Sequence, residues 1–439
     1  MSKLKKDEIN IFWFRRDLRL SDNRALYYAL KGGLPLMPIF IFDTDILNSL
    51  DRDDRRIAFI HEQISNIKKQ LIEAGSDLFV FKAKPEVVFS DLIKEYDVNA
   101  VYFNEDHEPY GIQRDAAICK LIKSKGINYF RYLDHLIVDK NRILKADGEP
   151  YSVYTYFKNK FKQELKADDL KEFNTGPLFN SFFRTSGSSN IPSLKSLGFK
   201  QTNIEFPDRS INTELIKNYH ETRDYPSMDG TSRLGIHLRF GTLSIRKLMR
   251  HALELNDVFY NELIWREFYA NVLLHNPRIV SESYKKQYDN IEWLNNEEDF
   301  EYWKSGKTGY PFVDAGMRQL NKTGYMHNRV RMVVASFLCK HLLIDWRWGE
   351  AYFAKYLLDY ELSSNNGGWQ WSAGSGCDAA PYFRIFNPKT QLKKFDPDYL
   401  YVKKWIQEFG TPGYNHEIVD HTFARERCIK AYRKALNKS

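Results

Sequence analysis

The residues best suited to chemistry lie between positions 327 and 388, where large rings alternate with amide, guanidinium and carboxylate side chains. The rings are Trp346, Trp348, Trp369 and Trp371. A core that serves packing alone is mainly aliphatic, because every buried polar group needs a hydrogen-bond partner. Rings among polar groups suit a flat ligand rich in heteroatoms, a nucleobase, or both. The alternative interpretation is a polar, aromatic-rich helical core.

A pair of adjacent glycines argues against that alternative. Residues 365–371 read Asn-Asn-Gly-Gly-Trp-Gln-Trp and follow a segment of helical periodicity that starts near Trp348. Adjacent glycines at a helix end allow a ligand to approach the backbone closely. The pattern predicts that this helix ends around Asp359, Glu361, Asn365 and the glycines. There the two acids can accept hydrogen bonds from ring N–H groups or a ribose, although acids of this kind also occur on plain surfaces.

A second segment, residues 229–234, reads Asp-Gly-Thr-Ser-Arg-Leu and follows closely after Tyr219 and Arg223. It offers backbone amides, two hydroxyls and a guanidinium within a short distance, which suits a pyrophosphate. A helix cap at Thr231 or Ser232 explains the same residues equally well. The sequence leaves both interpretations open.

A third group lies on a segment with helical periodicity at residues 256–274. Glu262, Trp265 and Arg266 are spaced so that they share one face of this helix. The functional interpretation places a carboxyl group beside a ring that stacks on a base. The alternative is an ordinary ion pair between Glu262 and Arg266, four residues apart.

A fourth group begins the periodic segment 328–343, where Asn328, Arg331 and Met332 share one face. An amide, a guanidinium and a thioether form an unusual stripe for a core. Met332 alone carries little weight, because methionine is a common filler of cores.

These groups must be positioned by the elements around them. In the first part of the chain, short apolar runs at residues 11–14, 36–42, 77–81 and 100–103 alternate with helical patterns at 55–74, 85–96 and 111–125. Alternation of this kind predicts an α/β domain with a doubly wound parallel sheet. A Gly-x-Gly-x-x-Gly motif does not follow the first run, which disfavours a Rossmann dinucleotide site.

The second part of the chain has a different pattern. Residues 185–192 are polar and turn-forming, as expected of a linker. Helical periodicity returns at 256–274, 311–321, 328–343 and 348–360, without obvious strands. We therefore predict an α/β domain at residues 1–138, a linker at 139–207, and an all-helical domain at 208–439.

Composition narrows the class of protein. Hydrophobic residues make up 43% of the 439 residues, so a large core is available. The formal charge of +8 is consistent with nucleic acid as a partner but does not prove it. An apolar run long enough to span a membrane, or a signal core after the first charges, is missing, which predicts a cytoplasmic protein. The four cysteines are far apart, so a zinc site is disfavoured and no metal is expected.

Taken together, the motifs resemble the photolyase/cryptochrome family over nearly the whole chain, and within it class I cyclobutane pyrimidine dimer (CPD) DNA photolyases. The matching motifs lie at residues 13–20, 229–234, 262–269, 306–311, 327–332, 365–371 and 378–388. The resemblance implies light-driven repair of pyrimidine dimers in DNA, a carbon–carbon lyase reaction. It proceeds by electron transfer from photoexcited, reduced anionic FAD, held in the helical domain, to a flipped-out dimer.

The resemblance also assigns roles by position. FAD binding falls to Tyr219, Thr231, Ser232, Arg233, Leu234, Arg266, Asn328, Arg331, Asp359, Glu361 and Asn365. Repair of the dimer falls to Glu262, Trp265, Asn328, Met332, Asn365 and Trp371. Light-driven reduction of the flavin falls to an electron-transfer chain of Trp293, Trp346 and Trp369. Contacts with DNA fall to Arg329 and Arg384, together with Trp265 and Trp371.

Further implications concern partners and cofactors. The resemblance implies a monomer that acts on UV-damaged DNA, has no membrane partner, and is of bacterial type, associated with the nucleoid when bound to DNA. An antenna chromophore in the α/β domain is implied as well, with deazaflavin, folate and flavin as candidates. The folate-binding pattern that the family shows near the positions of Tyr110 and Gly111 is absent.

Some positions depart from the family pattern. Gly235 stands where a serine is common, Glu361 where an aspartate is usual, and Phe259 and Tyr325 where tryptophans are common. Trp371 and Met332 favour repair of dimers in duplex DNA over the other branches of the family. Two alternatives stay open: a sensory cryptochrome without repair activity, and a non-catalytic protein that binds single strands with stacked rings.

Overall fold

The computed structural model describes residues 6–187, 189–414 and 416–437. Within them the chain forms two compact units, each assembled from separate stretches of sequence. The first unit comprises Met1–Arg142, Glu164–Ser210 and Leu234–His251, and the second comprises Ile143–Gln163, Ile211–Arg233 and Ala252–Ser439. The ranges 1–138, 139–207 and 208–439 predicted above are continuous, whereas these units are interleaved, and the predicted linker contributes residues to both.

The first unit is built on a parallel five-stranded sheet with the strand order β3-β2-β1-β4-β5. Its strands are β1 (Glu8–Phe14), β2 (Leu36–Asp43), β3 (Phe79–Ala83), β4 (Asp97–Asn104) and β5 (Asn128–Tyr132). The connecting helices are Arg24–Leu30, Thr44–Ser49, Arg55–Glu73, Pro85–Glu95 and Pro109–Ser124. Most residues of β1, β2 and β4 are buried, as in a parallel sheet covered on both faces. The predicted α/β fold with a parallel sheet is confirmed.

A buried group of charges lies in the same unit. Asp134 accepts hydrogen bonds from Arg19 at 2.6 Å and from Arg246 at 2.8 Å, and all three side chains are at most 5% exposed. Arg246 also contacts Asp22 at 2.9 Å. Burial alone would raise the pKa of Asp134, but the two guanidinium groups hold it below its usual value. The carboxylate therefore stays ionised inside the unit.

The second unit is helical, and the predicted helix-rich second part of the chain is confirmed. The helices described in it are Tyr154–Glu164, Thr213–Lys217, Tyr219–Thr222, Asp257–His275, Glu297–Ser305, Pro311–Thr323, Asn328–Ser336, Trp346–Tyr356, Leu362–Ala373, Pro388–Phe395, Leu400–Trp405 and His421–Ala435. Its core contains Trp303, Trp346 and Trp369, each at most 2% exposed. Leu144 and Pro150 form an isolated antiparallel bridge.

Two helices differ from the sequence-based prediction. The segment predicted as one helix at 328–343 is α-helical only over Asn328–Ser336 and continues as a π-helix at Phe337–His341. The helix at Trp346–Tyr356 ends before Asp359, and the glycine pair lies inside the separate helix Leu362–Ala373. The prediction that the glycines end a helix was therefore wrong.

Packing explains one of these two glycines. A Cβ atom at Gly367 would lie 2.2 Å from the ring of Tyr269, so only glycine lets the two helices approach this closely. A Cβ at Gly368 would meet no atom within 4 Å, but Gly368 lines the cavity described below.

Within the described residues, no helix has both the length and the apolar character needed to cross a bilayer.

Candidate active site

The second unit contains a cavity of about 410 Å³, within the range of about 300–1,000 Å³ that is common for small-molecule sites. Its walls come mainly from the helices Asp257–His275, Asn328–Ser336 and Leu362–Ala373 and from residues 357–361. The cavity brings together the predicted residues Glu262, Trp265, Arg266, Asn328, Arg331, Met332, Asp359, Glu361, Asn365, Trp369 and Trp371. Three separate sequence motifs, together with residues 357–361, therefore meet around one space.

Carboxylates and guanidinium groups are paired along these walls. The pairs are Arg223–Glu262 at 2.6 Å, Arg331–Asp359 at 2.9 Å and Arg266–Glu361 at 3.5 Å. Arg223 was predicted only as part of the pyrophosphate segment, and the sequence gives no signal that it binds Glu262. The helical spacing allows an ion pair between Glu262 and Arg266. Instead, Glu262 pairs with Arg223 and Arg266 pairs with Glu361, both from other segments.

One polar atom beside the cavity lacks a partner within the described part of the chain. Oδ1 of Asp359 is buried without a hydrogen bond, while Oδ2 accepts from Arg331. The Nε atom of Arg331 donates to the carbonyl oxygen of Met326 at 2.7 Å, so the guanidinium is held from two sides. An unsatisfied buried acceptor is costly. A ligand with an N–H or O–H group at this point of the wall would satisfy it.

Asn365 is fixed by a neighbour that sequence analysis did not single out. Its side-chain nitrogen donates to the Glu350 carboxylate at 2.8 Å and to the Glu350 carbonyl oxygen at 3.1 Å. Burial raises the pKa of Glu350, and the bond from Asn365 lowers it. Since both donor contacts go to Glu350, the amide oxygen of Asn365 is the group left to face a donor in the cavity.

Both predicted base-stacking indoles line the cavity, and each has another aromatic ring close to it. Tyr154 lies flat against Trp265, with ring centroids 3.6 Å apart and an angle of 5° between the planes. Phe386 lies 6.4 Å from Trp371 at an angle of 34°. Tyr154 comes from the predicted linker, where sequence analysis missed it. The spacing of Tyr154, Phe157 and Phe161, all buried on one helix face, was a signal that this segment packs against a core.

The predicted electron-transfer tryptophans occupy different surroundings. Trp369 lines the cavity and is 2% exposed. Trp346 is also buried, and its Nε1 atom has no hydrogen-bond partner among the described residues. Trp293 lies 6.0 Å from Tyr432. Trp303, which sequence analysis did not single out, is a buried ring 6.1 Å from Trp369. The order of electron transfer stays a prediction.

Tyr219 and residues 229–234 of the predicted pyrophosphate segment are not part of the cavity wall described above. Tyr219 packs edge-to-face against Phe259 at 5.1 Å. Thr231 is 2.9 Å from the hydroxyl of Tyr325, and the guanidinium groups of Arg233 and Arg331 both lie over the Tyr325 ring. Tyr325 thus connects this segment with the cavity residue Arg331.

The other residues of this segment have distinct surroundings. Arg233 has a backbone φ of 51°, a left-handed conformation that is uncommon outside glycine. Its side chain pairs with Asp229 at 2.9 Å. Ser232 is half-buried and Leu234 is buried. The phosphate-binding role of the segment stays a prediction.

The two predicted phosphate-binding arginines differ in how exposed they are. Arg329 pairs with Asp224 at 2.7 Å, and its guanidinium lies 4.3 Å from the ring centroid of Phe395. Arg384 is exposed, and its carbonyl oxygen accepts a hydrogen bond from the buried Lys340. Arg329 must therefore exchange or share its partner to bind a phosphate.

His327 caps the helix that carries Asn328 and Arg331, and its Nδ1 atom accepts from the backbone N–H of Arg329. Burial, followed by the nearby charge of Arg331, lowers the pKa of His327 to about 4. In the unfolded chain the pKa is about 6.5, so acid protonates the unfolded state first. Stability contributed by the neutral ring is complete above pH 6.5 and is lost as pH falls towards 4.

We expect His327 to account for a loss of about 2 kcal/mol in unfolding free energy between pH 7 and pH 5. His327→Asn keeps a capping side chain without a titrating ring, so its loss over this interval is expected to be smaller by that amount. Urea unfolding of both proteins at the two pH values measures the difference. Equal losses in the two proteins would show that His327 does not carry this dependence.

Known proteins are similar to this chain over nearly its whole length. A family model described as DNA photolyase matches residues 10–177, and one described as FAD binding domain of DNA photolyase matches residues 259–412. A deoxyribodipyrimidine photo-lyase of Synechococcus sp. is 37% identical over 96% of this chain and 95% of its own length.

Solved structures also match this chain over nearly its whole length. The crystal structure of a bacterial class III photolyase from Agrobacterium tumefaciens matches with a TM-score of 0.87 and 32% identity, covering 100% of this chain and 99% of that one. An archaeal photolyase from Sulfolobus tokodaii, crystallised with two FAD molecules, matches with a TM-score of 0.86 and 35% identity. That match covers 97% of this chain and 100% of the archaeal one.

Proposed function

The chain belongs to the DNA photolyase family, and from this membership we propose that it is a deoxyribodipyrimidine photo-lyase that splits cyclobutane pyrimidine dimers in DNA under light. One observation carries the proposal. Glu262 and Trp265 lie far in the sequence from Asn365 and Trp371, yet all four line a single cavity. This combination offers ring faces, a carboxyl group and an amide to two flat molecules in the same space.

The cavity walls fit FAD. Oδ1 of Asp359 is a buried acceptor without a partner in the described residues, as a flavin or ribose donor requires. The amide oxygen of Asn365, oriented by Glu350, suits a ring N–H group. Arg266 and Arg331 supply positive charge for an anionic cofactor. When bound in its reduced form, FAD supplies the light-excited electron donor; the protein supplies geometry and electrostatics.

The remaining wall residues are proposed to hold the dimer. Trp265 and Trp371 offer ring faces to the two bases, and Met332 and Asn328 complete the opening with an apolar and an amide group. Glu262 would donate a hydrogen bond from its carboxyl O–H group to the dimer where negative charge develops, which stabilises that charge more than the neutral ground state. In the structure Glu262 accepts from Arg223, so this pair must rearrange or share when the dimer enters.

Extrusion of the dimer from the helix is favoured by its chemistry. A fused dimer stacks and pairs poorly, so flipping it out costs less than flipping normal bases. Affinity for the strand comes largely from its phosphates and falls with salt, consistent with a formal charge of +8. Arg329 and Arg384 are the proposed phosphate contacts.

We also propose a subclass, from the identity of two cavity residues, and a second chromophore, from a related structure. Trp371 and Met332 line the cavity, as expected of the class I type, which acts on dimers in duplex DNA. The archaeal relative was crystallised with two FAD molecules, which supports a second chromophore here, with flavin, deazaflavin and folate as candidates. Chromatography of chromophores released by denaturation identifies it.

The test is repair of an oligonucleotide with one thymine dimer by the reduced protein, in light and in darkness. We expect loss of dimers only under blue or near-ultraviolet light, with flavin absorbance in the purified protein. Glu262→Ala is expected to lower the number of dimers repaired per absorbed photon several-fold. A yellow protein without repair would favour a sensory flavoprotein, and a colourless one a strand-binding protein; either result rejects the proposal.

A further inference from the structure

We propose that Tyr154 is a positioning residue for dimer binding: it holds the Trp265 indole against its outer side and so presents one fixed indole face to the cavity. Trp265 lines the cavity, whereas Tyr154 is not among its wall residues. The face that Tyr154 covers is therefore the one turned away from the cavity. The inference rests on the proposed function, because it assumes that a base of the dimer stacks on Trp265.

The geometry of the Tyr154–Trp265 pair indicates that other contacts hold the two rings in this stack. Tyr154 and Trp265 lie almost parallel with centroids only 3.6 Å apart. Isolated aromatic rings prefer offset or edge-to-face arrangements, because the electron-rich faces of two eclipsed rings repel each other. Elsewhere around Trp265 the ordinary geometry is found, since Phe268 meets it edge-to-face at 5.6 Å. A stack this direct needs independent anchors on the tyrosine.

Both ends of Tyr154 have such anchors. Its hydroxyl donates to the carbonyl oxygen of Asn261 at 2.8 Å, one turn before Trp265 on the same helix. Its backbone N–H donates to Oδ2 of Asp378 at 3.2 Å, and the backbone N–H of Asp378 donates to the carbonyl oxygen of Ser152 at 3.1 Å. The ring is therefore fixed over one helical turn, at a residue that is 8% exposed.

The second anchor connects the two sides of the cavity. Asp378 begins the motif 378–388 that sequence analysis singled out, and Phe386 of the same motif lies against Trp371. One loop thus carries both Asp378, which holds the backbone of Tyr154, and Phe386, which lies near Trp371.

Fixing Trp265 in advance favours binding in two ways. A side chain that is already immobile does not lose rotational freedom when substrate arrives, which improves affinity about two- to tenfold. The covered outer face also leaves a base only the cavity side to stack on. Both effects act on binding and not on light absorption, so the step after binding should be unaffected.

The experiment measures the Kd of dimer-containing DNA and the repair rate at saturating DNA for three variants. Tyr154→Leu keeps an apolar side chain but removes the flat ring, and is expected to raise Kd about two- to tenfold with an unchanged saturated repair rate. Tyr154→Phe keeps the ring and the backbone anchor but loses the hydroxyl bond to Asn261, so it is expected to raise Kd less than Tyr154→Leu does. Tyr156→Ala, at a position two residues along that is 63% exposed, is the matched control and should leave both quantities unchanged.

A double-mutant cycle separates positioning from general stability. If Tyr154 acts through Trp265, Tyr154→Leu should have no further effect on Kd once Trp265 is alanine. An equal increase in Kd in both backgrounds, or a Tyr154→Leu protein that binds like the wild type, would overturn the inference. If the wild type itself shows no light-dependent repair, or Trp265→Ala binds normally, the proposed function fails instead, so the two failures are distinguishable.

Discussion

Trp265→Ala is expected to weaken binding of dimer-containing DNA about 5- to 150-fold, because one stack between a base and an aromatic ring contributes about 1–3 kcal/mol. Trp371→Ala should have an effect of the same order, since both indoles line the cavity. Removing either ring exposes a flipped base to water on that side and lowers the preference for damaged over undamaged DNA. Fluorescence anisotropy with matched damaged and undamaged oligonucleotides at fixed salt measures both quantities.

Two further variants sharpen this test. Trp265→Phe keeps a smaller ring and should lose less affinity than the alanine variant. Trp348→Ala removes an indole that packs against Phe300 and is not among the cavity residues, so its Kd should match the wild type. Normal discrimination of damaged DNA by both Trp265→Ala and Trp371→Ala would contradict the assignment of these indoles to the substrate.

Asp134→Ala is expected to lower the free energy of unfolding by about 3–5 kcal/mol, because it leaves buried cations without a counter-charge. Arg19 and Arg246 both bind Asp134 in the first unit, where their side chains are at most 5% exposed. Urea unfolding followed by circular dichroism measures the change. The prediction concerns a region outside the cavity, so it tests the fold separately from the function.

The matched control is an exposed ion pair of the same unit. Lys94 and Asp91 contact each other at 2.9 Å with side chains 76% and 65% exposed, and breaking such a pair changes stability by about 0–1 kcal/mol. Asp91→Ala should therefore unfold like the wild type. A change below about 1 kcal/mol for Asp134→Ala would show that water or rearrangement compensates the two arginines.

Strands and helices could be predicted from the sequence where their residues follow one clear apolar pattern. Strands β1, β2 and β4 contain the apolar runs 11–14, 36–42 and 100–103, because a parallel sheet is buried on both faces. Strand β5 was missed because Asn128 and Arg131 interrupt its sequence, so it lacks the apolar run that marks the other edge strand, β3. The change from α-helix to π-helix after Ser336 was missed because all five residues of Phe337–His341 are buried, so one helix face cannot be told from another there.

Most residues of the candidate site could be predicted from the sequence, but not which of them contact each other. Motifs at 262–269, 327–332 and 365–371 supply most of the cavity wall. The pairing of Glu262 with Arg223, 39 positions earlier, depends on how separate segments pack. The glycine pair was misjudged for the same reason, since the close contact at Gly367 is made with Tyr269 on another helix. Contacts between distant segments leave no periodic trace in one sequence.

The interleaving of the two units limits how such a gene can recombine. A piece ending at residue 207 would encode all five strands of the sheet but not Arg246, which neutralises Asp22 and Asp134 inside the same unit. A crossover at that point between distant relatives would join strands from one parent to a charge-compensating helix from the other. Viable chimeras should therefore retain residues 1–142 and 234–251 from a single ancestor, so the two stretches are expected to be inherited as one block.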